Sequence, residues 1–540
     1  MERALTCLPR SAALGLLLIA ALPIGGEAAG SINIPINDPR TELVERVALS
    51  GLVDSALLGA RPYSRMEAAR IVAEALRNLD RLAGTDTEFL EELLLGLREE
   101  LRPEMITLGA LPGERRESFL IPVERAGWRV ARLQRQAKEF PEFQPTRVVE
   151  GTPLLQNREG IIYQERHNAV LDLQGRAQWT DWASFYVQPL AFLHAGAGDE
   201  GAELRLHKGY VKVTLGPIEL LAGKDSVWWG PGRHGAFVLT NNAEPLEMVK
   251  LSNPSPAILP WILKYLGHVQ FTLLLARLEE ERDFPHALLF GVRLALKPHR
   301  LVEIGFSRAT QFGGRGGPSI SGGELGDLLT GADEPTNANQ VGAVDISIRI
   351  PPLWGALIYM EAGRDAAGAF QGKFPYVEWP EAFLFGLYFP RLGPAGRTDL
   401  RIEWVDTGEF AFWYAHGQYR SGYTFKGQVL GHHVAGDALD LFVETTTFLT
   451  ENLRVALTFD WERRGTEDPA LRGKTAAEED FQVGFGLRYR YSPTVTIEGR
   501  YAYEHISNFN LNAGESATNH LVEFGVSVSW PVRETVGAKE

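Results

Sequence analysis

The chain has 540 residues, a formal net charge of -14 and 45% hydrophobic residues. That length exceeds one ordinary soluble domain, and the acidic balance argues against nucleic acid, whose phosphates are neutralised by Lys and Arg. Hydrophobic content near the soluble average does not exclude a transmembrane barrel, in which every second strand residue faces the lumen and can be polar.

Arg3 and Arg10 precede an apolar run, Ala12 to Leu22, that is too short to span a bilayer, and small residues follow through Gly30. Residues 1–29 therefore read as a signal peptide, cleaved after Ala28 or Ala29. Cys7 is the one cysteine, so the mature chain is expected to hold no disulfide. No later window offers the roughly 18 uncharged apolar residues of a helical span.

Residues 41–102 follow a helical period. Ser64 with Glu67 three positions on forms a capping box, and Phe89, Leu90, Leu93, Leu94, Leu97 and Leu101 share one helix face. A three-helix bundle is expected, and its Ser64 to Arg70 stretch resembles S-layer-homology modules, which contact cell-wall polymers. Residues 103–156, charged and broken by Pro112, Pro122, Pro141, Pro145 and Pro153, read as a connector.

From 157 to 530 the period changes to two. Phe481, Val483, Phe485, Leu487 and Tyr489 alternate with Gln482, Gly484, Gly486, Arg488 and Arg490, while Val455, Leu457, Phe459 and Trp461 alternate with Ala456, Thr458, Asp460 and Glu462. Val522, Phe524, Val526, Val528 and Trp530 repeat the pattern over a span suited to a tilted membrane strand. The expected fold is an all-β transmembrane barrel of about 16–18 antiparallel strands with a small N-terminal α-helical domain. Tight turns are expected at Lys297-Pro298-His299 and Ser492-Pro493, and long loops at Gln311 to Gln340 and Gly465 to Asp480. The tail 531–540 departs from the usual aromatic ending of an outer-membrane strand.

One stretch interrupts the alternation. Trp228-Trp229 is an adjacent Trp pair, Gly230-Pro231-Gly232 cannot continue a ladder, and Asn241-Asn242 marks a polar turn before Glu244 and Pro245. It reads as a surface turn, an inward plug or a ligand rim. This stretch resembles the hallmark of the capsule assembly protein Wzi family. The segment Gly422 to Asp437, about 190 residues on and carrying Gly431, His432, Gly436 and Asp437, is similar to a second block of that family. The resemblance implies an 18-stranded outer-membrane barrel, plugged at its periplasmic end and carrying a helical bundle, that binds capsular polysaccharide as a lectin without enzymatic activity.

Sugar recognition uses aromatic faces and hydroxyl-bonding side chains. Trp228 and Trp229 are the candidates for the first, and Arg233, Asn241, Asn242 and Glu244 for the second, with Arg233 suited to a uronate carboxylate. His432-His433 with Asp437 has metal-ligand chemistry, but neighbours in an extended chain point apart, so a structural loop with no metal or cofactor is expected. Asp460 and Glu462 are the ordinary carboxylates of a wet lumen. The expected partners are capsular or extracellular polysaccharide, outer-membrane lipid, and peptidoglycan or wall polymer through the helices. A porin with a wall-binding module is the alternative, and an outer-membrane hydrolase a third reading.

Overall fold

The computed structural model describes residues 30–530, apart from 82–86, 115–117, 135–137, 140–149, 152, 197–198, 319–322, 324–337, 366–380, 394, 409–412 and 466–474. The expected signal peptide, the tail and most of the two long loops fall outside the described residues.

The strands are β1 Ser118–Leu133, β2 Arg166–Trp179, β3 Ala183–Gly196, β4 Asp199–Leu215, β5 Ile218–Asp225, β6 Leu246–Ser252, β7 His268–Arg277, β8 Leu288–His299 and β9 Val302–Phe312. They continue as β10 Asn339–Ile350, β11 Ala356–Asp365, β12 Ala382–Leu392, β13 Thr398–Asp406, β14 Ala438–Phe448, β15 Leu453–Arg464, β16 Glu478–Arg490, β17 Val495–Ser507 and β18 Ser516–Ser529. Each pairs antiparallel with its chain neighbours, and β1 pairs with β18 to close a barrel of eighteen strands. Closure leaves the barrel wall without an edge strand.

The alternation decides which side chains face outward. Leu457 (55% exposed), Phe485 (44%) and Val522 (51%) point out, whereas their neighbours Asp460, Gln482 and Glu523 are buried in the lumen. Trp179, Trp182, Trp261, Trp354, Tyr491 and Trp530 are all exposed, and all lie at or beside the connections of one end. This matches an interfacial girdle.

The barrel begins earlier than the expected boundary at 157. Its first strand, β1, lies inside the stretch read as a connector, because Pro122 and the charges of Glu124 and Arg125 hide its alternation. Pro122 sits where the β1–β2 register shifts between Ile121 and Arg125, so its missing N–H costs no ladder bond. The turn expected at Lys297-Pro298-His299 falls at Arg300 and Leu301, after a register shift between Leu296 and His299.

Among the described residues four helices, rather than three, precede the strands: α1 Pro39–Leu49, α2 Arg65–Arg77, α3 Thr87–Glu100 and α4 Arg102–Thr107, the last also within the stretch read as connector. Ser64 caps α2 by accepting from the Glu67 N–H at 3.0 Å, and the Glu67 carboxylate pairs with Arg70 at 2.7 Å. Leu90, Leu94, Leu97 and Leu101 pack with Val44, Val47, Ile71 and Val72 in the bundle core.

The bundle docks into the end of the barrel where β14 meets β15 and β8 meets β9. Arg46 pairs with Asp399, Arg454 with Glu42, Lys297 Nζ donates to Ala56 O at 2.6 Å, and Glu303 accepts from the Leu58 and Gly59 N–H groups at 2.9 and 2.8 Å. These are the short-turn strand ends, which face the periplasm in outer-membrane barrels.

Candidate functional site

The stretch from Ser226 to Pro245 leaves β5 at the opposite end and folds into the lumen. Trp228 and Trp229 pair with Arg61 and Ala60, so a loop from one end meets the helical segment from the other. Trp228 and Trp229 are 2% and 1% exposed, and Arg61 lies 5.5 Å from the Trp228 ring centroid. They therefore offer no face on which a sugar could stack in this structure. Of the three readings of this stretch, the inward plug is the one adopted, because burying two indoles outweighs leaving them at a wet mouth.

Gly230 is where the chain turns inward, with φ of 140° and its N–H donating to Gly59 O at 2.9 Å. A Cβ there would sit 2.7 Å from Glu361 Oε2 and from Ala236 Cβ, so glycine is required both by conformation and by space. Pro231 and Gly232 follow, and Gly232 O accepts from Arg61 at 3.0 Å.

The wall supplies carboxylates to the orphan donors of the loop. Glu403 on β13 accepts from the Arg233 and His234 N–H groups at 2.7 and 3.0 Å, and Glu361 on β11 accepts from Phe237 N–H at 3.1 Å. Each bond satisfies a loop N–H that would otherwise lack a partner in the lumen.

The second block, between β13 and β14, lies against the first. Thr240 Oγ1 donates to Gly431 O at 2.8 Å, Asn242 Nδ2 donates to Val429 O at 3.2 Å, and Tyr423 OH donates to Val238 O at 2.8 Å. Tyr414 OH donates to Phe237 O at 2.5 Å and accepts from His432 N–H at 2.9 Å. Gly431 and Gly436 stand where an added Cβ would be 2.1 Å from Tyr414 Oη and 2.9 Å from Trp413 Cβ. Asp437 is fully buried, its N–H donating to Thr407 O at 3.1 Å. The two blocks are thus one packed plug rather than two separate loops.

The polar candidates separate into two groups. Asn241 and Asn242 are buried, Asn242 bonded to Val429 O within the plug and Asn241 Nδ2 reaching Asn37 Oδ1 of the N-terminal segment at 2.9 Å. Arg233 instead lines a cavity of about 540 Å³, together with Glu42, Arg125, Glu444 and Arg454. Glu244 gathers three cations, Arg205 at 2.9 Å, Lys224 at 3.2 Å and Lys426 at 2.8 Å. Burial alone would raise its carboxyl, but Arg205 and Lys426 hold it below the ordinary range.

His432 and His433 do not diverge as an extended chain would require. Ala435 and Asp437 adopt positive φ, so the segment is a turn, and the two rings stack with centroids 4.5 Å apart. Burial and the neighbouring imidazoles lower both, His433 to about 4. His234 joins them, its ring 4.4 Å from that of His433 and stacked on Phe442 at 3.9 Å. Burial lowers His234, but the carboxylates of Asp460, Glu403 and Glu462 together offset this and raise it.

Sequence reasoning missed Glu361, Glu403, Trp413 and Tyr414, and it gave Tyr423, which lies in the second block, no role of its own. The aromatic run from Trp413 to Tyr423 was the available signal, since so many rings between strands call for a buried partner.

An eighteen-stranded up-and-down barrel with an apolar exterior, a helical domain in its short-turn end and two loops packed in its lumen is an outer-membrane β-barrel with a plugged interior. Residues 135–521 match the family model described as capsule assembly protein Wzi, and the chain belongs to that family. Wzi of Escherichia coli, an outer-membrane protein involved in group 1 capsule assembly and described as a carbohydrate-binding β-barrel, superposes with a TM-score of 0.66 at 18% identity. That match covers 93% of this chain and 99% of the other. An uncharacterized 55.8 kDa protein in the cps region of Klebsiella pneumoniae is 28% identical over 179 residues, 31% of this chain and 35% of that relative's length.

Proposed function

We propose that the chain is a non-enzymatic lectin of the outer membrane that binds capsular or other extracellular polysaccharide and aids its attachment at the cell surface. The observation that carries this reading is the plug. Trp228, Trp229, Trp413, Tyr414 and Tyr423 are all buried in the lumen, which suits a binding platform better than the diffusion pore of the alternative reading. The outward apolar residues are the surface for outer-membrane lipid.

Within that reading, the polymer meets the loop end of the barrel at Glu244 and its three cations, a cluster that keeps one positive charge in excess after Glu203, 3.5 Å from Arg205, is counted. Lys426, with its side chain 45% exposed, is the member open to an acidic sugar, and Arg233 is the second anion-binding candidate, reached through the inner cavity. A wall-polymer contact through α2 finds less support, because Arg65 is buried against Glu104 at 2.5 Å and Arg70 is paired with Glu67.

The test is binding of a uronate-containing capsular polysaccharide to the detergent-solubilised full chain by calorimetry. Lys426→Glu is expected to weaken binding at least about tenfold with the barrel still folded, as a lost charge-assisted bond requires. Unchanged binding in both Lys426→Glu and Arg233→Ala would remove these sites from the reading.

A further inference from the structure

His234, His433 and Asp460, whose ligand atoms lie within 4.8 Å of one another, converge from the first plug loop, the second plug loop and β15, and Asp440 on β14 lies against both imidazoles. Asp440 Oδ2 lies 3.5 Å from His234 Nε2 and 3.6 Å from His433 Nε2, and Asp460 Oδ2 lies 3.2 Å from His234 Nε2. His433 and Asp440 are 2% and 1% exposed, and Asp460 is 4% exposed. Even so, His433 Nδ1 and Nε2, His234 Nε2, both Asp440 oxygens and Asp460 Oδ1 make no hydrogen bond of acceptable geometry. Leaving this many buried polar atoms unsatisfied is costly, at about 1–3 kcal/mol each.

We propose that these four side chains bind one divalent transition-metal ion of the zinc type, which fastens both plug loops to the barrel wall. In a tetrahedral site with metal–ligand bonds of about 2.0–2.2 Å, neighbouring ligand atoms stand roughly 3.3–3.6 Å apart. The three distances above fall in or close to that range, and His234, His433 and Asp460 stand within 4.8 Å of one another, so side-chain adjustment without a change of fold brings the four to one ion. Two imidazoles and two carboxylates suit zinc, cobalt or nickel better than calcium or magnesium, which prefer oxygen alone.

Charge points the same way. Glu462, 3.3 Å from His433 Nε2, is already neutralised by Arg464 and accepts from Gln156 at 2.8 Å. Asp440 and Asp460 are the carboxylates for which a dication is the missing counter-charge. Two features would hold the ligands in place: Phe442 stacks on the His234 ring, and His432 stacks on that of His433. The cavity of about 540 Å³ is lined by His234 and Asp460 and provides a way in for the ion. The site differs from the pairing of His432-His433 with Asp437 weighed in the sequence, since Asp437 takes no part.

The experiment uses the full chain, folded in detergent and free of any polyhistidine tag, stripped with a chelator and titrated with Co²⁺. A saturable visible absorption band of tetrahedral Co²⁺, one ion per chain and displaced by Zn²⁺, is expected. Asp440→Asn and His433→Gln should each weaken binding at least about tenfold, with heat-modifiable gel mobility reporting that the barrel is folded. Lack of a saturable one-to-one signal in the unaltered protein overturns the proposal without reference to any variant. So does an unchanged Co²⁺ affinity in Asp440→Asn, the near-isosteric change. Polysaccharide binding is not the readout, so failure of the lectin reading would leave this result standing.

Discussion

Glu403→Ala would remove the anchor at the neck of the first plug loop. Its carboxylate is 1% exposed and accepts from Arg233 N–H at 2.7 Å, His234 N–H at 3.0 Å and Tyr359 OH at 2.6 Å. Truncation strands three buried donors, each worth about 1–3 kcal/mol, and leaves Arg401 3.7 Å from an empty position. Because such terms are not additive, a combined loss of about 4 kcal/mol is expected, which raises the population of a displaced loop by roughly a thousandfold. The other ties, Glu361 to Phe237 and Tyr423 to Val238, remain, so the barrel itself should still fold. Single-channel recording in planar bilayers is the assay. The unaltered chain should be silent and Glu403→Ala should show discrete openings, with Glu403→Gln in between. A large steady conductance in the unaltered chain, or equal silence and equal protease resistance of the loop in all three, would refute the reasoning.

Glu104 tests the helical domain. Arg65 and Arg176, 2.5 and 3.1 Å away, overcome the effect of burial and lower its carboxyl from 4.5 to about 2. A lowered carboxyl contributes stability above its unfolded value, and that stability is lost as pH falls from 4.5 towards 2. The amount is about 3 kcal/mol, visible as a pH-dependent melting difference between the unaltered chain and Glu104→Gln; parallel profiles would count against it. Gly363→Val tests the seating of the plug, because valine favours strands but an added Cβ would meet the Trp413 ring at 2.8 Å and Phe237 at 2.9 Å. Thermal stability should fall by an amount on the order of 1–3 kcal/mol, and a rise would show that the plug is not packed there.

Most of the fold was legible because a barrel wall is a local pattern. Leu457 and Phe485 alternate with Asp460 and Gln482 whatever lies across the lumen, and the apolar stripe of α3 repeats at helical spacing without reference to its partners. The signal failed where a strand carries its own irregularity: β1 was hidden by Pro122 and its shifted register. The two family blocks were also legible, as places where neither period holds.

What those blocks do was decided by tertiary structure. Burial of Trp228 and Trp229, the carboxylates of Glu361 and Glu403 aimed at loop N–H groups, and the meeting of His234 with His433 all depend on which strands face one another across a closed barrel. Alternation along one strand says that Asp440 and Asp460 point inward, but not that both point at the same imidazole. By itself the chain's order of residues determined a lipid-facing wall and an interruption in it. Only closure of the β1–β18 seam, which gives the lumen a fixed width and brings distant strands within hydrogen-bonding reach, turned that interruption into a plug.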